Sequence, residues 1–181
     1  MNRMLKIYEI FEVIKKIGLF ISGISILGMA FLIFYDVLVR NLFSGSIRGG
    51  FEIVQNYFMP LVVFPSLAFV YSSGVIPKMD IIIGKLGDKE KKYIIFIMLL
   101  LEIFILILIV QFSWQYAMNG LERKIAFPAA GTLYPLYPVL FTIPIAFALI
   151  TIENIFIFIR NILEKKPTLL VIDKEGELEG F

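Results

Sequence analysis

Glu102 is the one charged side chain between Tyr93 and Leu121, set within the run "IIFIMLLLEIFILILIV". A carboxyl group there could bind a proton or a cation, the chemistry of a small proton-coupled exporter. It could also stay packed and hydrogen-bonded against a neighbouring helix. A charge at the centre of a bilayer costs about 3 kcal/mol on insertion scales, so such groups face protein or a cavity. No charged residue stands deep in another apolar run to pair with it, which favours the packed role. Asp36, Arg40, Glu52 and Glu153 lie near the ends of apolar runs. Snorkelling and surface pairing, worth about 1 kcal/mol or less each, are the expectation for those four. Lys78 and Asp80 complete the candidates, in "SSGVIPKMDIIIGKL".

Much familiar chemistry is missing. The chain has no cysteine, so it holds no thiol redox centre, and no histidine, so it offers no His haem ligand. The usual general base and metal ligand is thereby absent. No glycine-rich phosphate loop follows a strand, and no serine has a base to activate it. Neither enzymatic activity nor a cofactor of its own is expected.

The elements that must position these residues are spans. The 181 residues are 59% hydrophobic, with a mean hydropathy of +0.88, and their charges are clumped. Charge-free stretches run from Ile17 to Tyr35, from Ile53 to Pro77 and from Ile125 to Ile152. A hydrocarbon core of about 30 Å needs roughly 20 apolar residues in a helix. The reading is an all-α integral membrane protein with four transmembrane helices, at about 17–38, 53–75, 93–116 and 134–158. A soluble bundle would show polar faces at the helical period, and these runs show none. The first run is too long for a signal peptide and lacks a small-x-small cleavage site, so it reads as a retained helix.

Thirteen basic residues fall on one side of this layout, in the N-terminal segment, the 76–92 connection and the tail. Only Arg40, Arg48, Arg123 and Lys124 fall on the other. Both termini are therefore expected in the cytoplasm. The net charge of +2 reflects that bias and does not point to nucleic acid.

Residues 1–16 place Met4, Ile7, Ile10, Phe11 and Ile14 towards one face, and Lys6, Glu9, Glu12 and Lys16 towards the other. That segment either lies amphipathically on the cytoplasmic surface or extends the first span. Pro60 and Pro65 bend the second span. Pro77 stops its continuation, Lys78 meets the cytoplasmic surface, and the isoleucines after Asp80 enter the interface. "FPAAGTLYPLYP" reads as a tyrosine-rich extracytoplasmic loop leading into the last span, which contains Pro144, and 164–181 as a polar tail.

The order of these patterns resembles the small, DctQ-like membrane subunit of the tripartite ATP-independent periplasmic (TRAP) transporters. "YDVLVRN" supplies the family's Asp36 and Arg40, "GGFEIVQNYF" its Glu52, and "SSGVIPKMDIII" its Gly74, Lys78 and Asp80. "YPVLFTIPIAFAL" resembles its final helix. Ser72, Ser73 and Ile76 depart from the basic residues and histidine of many members. The resemblance implies a large multi-span subunit that carries substrate and sodium ions. It also implies a periplasmic binding protein that delivers a carboxylate, such as a dicarboxylate or sialic acid. The small subunit would be a scaffold and docking edge, with Glu102, Asp36, Arg40, Glu52, Lys78 and Asp80 serving structure or the partner interface. The alternatives are a homodimeric proton-coupled exporter using Glu102, or the membrane anchor of an unrelated complex.

Overall fold

A computed structural model describes residues 2–43, 45, 47–73 and 88–163. Among the described residues, four helices are long and apolar enough to cross a membrane. They are α1 (Asn2–Phe43), α2 (Gly50–Ser72), α3 (Asp88–Glu122) and α4 (Tyr137–Leu163). The segment 2–16 is continuous with the first span inside α1, with no break between them.

Alternating direction brings the start of α1, the end of α2, the start of α3 and the end of α4 together at one end of the bundle. There Tyr8, Phe11, Ile95, Leu99 and Ile157 form a buried cluster, with Tyr71 and Phe156 packed on it. A second cluster of Ala68, Leu106 and Ile150 continues it along the interior. α4 is the hub, packing on both α2 and α3, while α1 lies against α2.

The α1–α2 seam depends on small residues and on proline. Tyr8, Phe11, Lys15, Gly18, Ser22 and Ser25 recur at spacings of three and four, so they share one face of α1. A β-carbon at Gly18 would collide with the Pro65 carbonyl, so only glycine lets the two backbones approach this closely. Pro65 lacks an amide hydrogen and leaves the Leu61 carbonyl without its helical donor. Ser22 Oγ donates to that carbonyl at 3.2 Å. Ahead of Pro60 the helix widens into a π turn over Val54–Phe58, and the Met59 amide donates to the Val54 carbonyl. The neighbouring helix and a local widening thus absorb both prolines.

The last helix begins at Tyr137 rather than Tyr134, because "FPAAGTLYP" is a β-hairpin. Strands β1 (Ala126–Ala129) and β2 (Thr132–Pro135) pair antiparallel, with Phe127 opposite Tyr134. Their two-residue turn has φ of 54° at Ala130 and 82° at Gly131, the positive values a type I′ turn requires. Phe127 and Ala129 face inward and are buried, whereas Leu133 and Pro128 face out. Tyr57 pins the hairpin to α2: its ring meets Phe127 edge-on at 5.2 Å and its hydroxyl donates to the Pro135 carbonyl at 2.7 Å. Further on, α4 is interrupted at Phe141, where Pro144 removes the amide that would bond the Leu140 carbonyl.

Candidate functional site

At the end where the two described chain ends meet, six polar side chains from all four helices gather in otherwise apolar surroundings. α1 gives Tyr8 and Lys15, α2 gives Tyr71, α3 gives Glu102, and α4 gives the adjacent Glu153 and Asn154.

The first half of this knot is an ion pair. Lys15 Nζ donates to Glu153 Oε2 at 2.7 Å and to the Tyr8 hydroxyl at 3.0 Å, and Tyr8 donates to Glu153 Oε1 at 2.7 Å. Both charged side chains are 1% exposed. The ammonium group also lies 4.6 Å from the Tyr8 ring centroid and 5.1 Å from that of Phe11. This overturns the expectation that Glu153 snorkels to the surface and that Glu102 is the only ionisable group buried in the bundle. Glu153 instead faces the α1 seam, and Lys15 occupies the packed face of α1 between Phe11 and Gly18. That face also corrects the helical reading of residues 1–16. Tyr8, Phe11 and Lys15 pack inward, whereas Ile7, Ile10 and Ile14 point away from the bundle.

The second half is centred on Tyr71. Its hydroxyl lies 2.6 Å from Glu102 Oε1 and 2.7 Å from Asn154 Oδ1. One hydroxyl hydrogen serves only one of these oxygens, so a second donor is required. Two arrangements supply it. A protonated Glu102 donates to Tyr71, which donates onward to Asn154. Otherwise the Asn154 amide turns over, so that its nitrogen donates to Tyr71 while Tyr71 donates to Glu102. The second arrangement also employs Asn154 Nδ2, which is buried without a partner among the described residues. In either case Glu102 is held by a neighbouring helix.

The remaining candidates lie elsewhere. Arg40 donates to Asp36 Oδ2 at 2.9 Å one helical turn away, and Asp36 Oδ1 accepts the Ile47 amide at 2.7 Å. The aspartate thus ties the last turns of α1 to the connection leading into α2, at the hairpin end. Glu52 is half-buried in the first turn of α2 and forms no ion pair with a described residue. Lys78 and Asp80, with Gly74, lie outside the described residues. Among the described residues no three carboxylates converge as a metal site.

The family described as tripartite ATP-independent periplasmic transporters, DctQ component, matches residues 29–165. The chain belongs to this family. A search of curated proteins finds no match. The DctQ match spans α2, α3, α4 and most of the knot, including Tyr71, Glu102, Glu153 and Asn154. Tyr8, Lys15, Gly18 and Ser22, the α1 side of the seam, precede it. DctQ proteins are components of a transporter and not an enzyme family, and this member is a multi-pass membrane protein by its four helices.

Proposed function

We propose that this chain is the fixed scaffold subunit of a sodium-coupled, binding-protein-dependent carrier of carboxylate solutes in the inner membrane. It widens the platform against which a large multi-span subunit moves, and it offers the periplasmic binding protein a docking edge. Both termini face the cytoplasm, so the polar knot lies in the cytoplasmic half and the hairpin outside. The orientation rests on the distribution of basic residues.

The observation that carries this reading is how the polar groups are used. Lys15, Glu153 and Tyr8 are buried and bonded to one another, and half-buried Tyr71 and Glu102 are bonded to each other. Among the described residues they leave no paired, open groups for a solute anion. Meanwhile only 11% of the most apolar windows of α1 and α2 and 17% of that of α3 is buried within the chain, against 33% for α4. A small bundle with a closed polar interior and open apolar flanks suits packing beside another membrane protein.

The test is reconstitution. Uptake of a labelled carboxylate into proteoliposomes should require this chain, the large subunit, the binding protein and an inward sodium gradient together. Gradient-driven transport by this chain alone would overturn the scaffold reading. Transport that persists unchanged without sodium would overturn the coupling.

A further inference from the structure

Helix α1 presents three different faces. Tyr8, Phe11, Lys15, Gly18 and Ser22 face the bundle. Ile7, Ile10, Ile14, Ile17 and Ile21 form an exposed, wholly apolar strip suited to lipid. The third strip begins with Glu9, Glu12 and Lys16 and continues through Phe20, Gly23 and Leu27. It is charged at one end and grooved along the rest.

Its inner charges, Glu12 and Lys16, sit too deep for lipid. Lys15, next to Lys16, bonds to Glu153, and Arg160 lies about 10 Å further along α4 at the helical rise. Tyr71 joins Asn154 to Glu102, and Lys92 lies about 15 Å back along α3. Lys92 and Arg160 mark the polar boundary of those helices, so Glu12 and Lys16 lie about one to three helical turns inside it. At the same depth α3 turns Ile97, Leu101 and Phe104 outward, each more than half exposed. Hydrocarbon reaches that level there, and hydrocarbon offers a carboxylate nothing. The Glu12–Lys16 pair does not resolve the conflict, because its 4.0 Å separation is loose and Glu9 adds a second acid.

The groove continues from Lys16 past Leu19, Phe20, Gly23, Ile24 and Leu27, with a volume of about 450 Å³. At its floor, a β-carbon on Gly23 would meet nothing within 4 Å. An outward glycine beside an open groove permits a close helix approach. From Glu9 to Leu27 the strip runs about 27 Å, nearly a full hydrocarbon core, which exceeds what one lipid in one leaflet covers. Two carboxylates against one lysine also repel a phosphate headgroup.

We propose that the Glu9–Glu12–Lys16–Gly23–Leu27 strip of α1 seats a transmembrane helix of the large subunit, which places a cationic side chain opposite the two glutamates. This rests on the scaffold reading and assigns the surface it uses: α1, with the outward face of α3 left to lipid.

The test uses the complete complex. Photoreactive residues at Phe20 or Leu27 should crosslink to the large subunit, whereas those at Ile97 or Phe104 should not. Gly23→Leu, which meets open space within the chain, should leave its accumulation in the membrane unchanged while lowering co-purification of the large subunit about tenfold. Crosslinks to the large subunit from α3 alone would overturn the α1 assignment and leave the scaffold reading intact. So would adducts from α1 confined to phospholipid, to a second copy, or to the chain's own 74–87 or 164–181 segments. A wild-type chain that never co-purifies with a large subunit overturns both.

Discussion

The ammonium of Lys15 has exchanged water for one carboxylate, one phenol and two aromatic faces. The desolvation of a buried ion pair rivals its attraction, so the pair is weak evidence of net stability, but losing one partner strands a charge. Lys15→Met or Glu153→Leu alone should therefore cost about 3–5 kcal/mol, read as a lower thermal midpoint in detergent. Removing all three polar ends in Tyr8→Phe/Lys15→Met/Glu153→Leu should restore most of that loss. A triple variant less stable than either single one would refute this account of the knot. Glu102 calls for a different substitution, since its role is to hold Tyr71. Glu102→Gln keeps size and hydrogen bonding and should leave transport by the assembled system largely intact. Glu102→Leu leaves Tyr71 or Asn154 short of a partner and should cost about 1–3 kcal/mol. Loss of sodium- or proton-coupled flux in the Gln variant, with the complex intact, would make Glu102 a coupling site.

Elements were legible where apolar length decides them and obscure where local geometry does. Four spans follow from long apolar runs, three of them charge-free and one interrupted only by Glu102. The hairpin was hidden because each of its four-residue strands contains a proline, and its turn is Ala-Gly rather than the familiar Asn-Gly. Lys15 was hidden among the basic residues that set orientation. The clue was its three-and-four spacing with Phe11, Gly18 and Ser22, which puts a lysine on a face of small and aromatic residues. The knot's other half was half-read: Glu102 stood out, but which helix would hold it depends on how the helices pack. Ala130 carries a testable cost, because a β-carbon in the left-handed region is disfavoured by about 1–2 kcal/mol. Ala130→Asn tolerates that region better and should increase amide-exchange protection across 126–135. Unchanged or reduced protection would argue against a strained turn. At the α1–α2 seam, Gly18→Ala should lower the thermal midpoint sharply, whereas Gly23→Ala, five residues away on the outward side, should not. Equal effects would deny that the seam is held by backbone proximity.

At the scale of the whole molecule, the two ends of the bundle are built differently. One end is held by a buried polar knot that draws on every helix. The other is closed by a hairpin, aromatic contacts and the Asp36 tie to the backbone of Ile47. The proposed orientation, knot end in the cytoplasm, rests on charge: thirteen basic residues fall in segments at the knot end and four at the hairpin end. The absence of native cysteine makes this directly testable. A single cysteine at Ser46 or Thr132, in the connections at the hairpin end, should react in intact cells with a thiol reagent that cannot cross the inner membrane. One at Lys89, at the start of α3, should react only after permeabilisation. Because α1 and α4 each cross once, this pattern also places both described chain ends beside Lys89. The reverse pattern at Ser46 and Lys89 would invert the molecule. The hairpin and its exposed Leu133 would then face the cytoplasm, unable to meet any periplasmic partner, and the docking role would fall with the orientation.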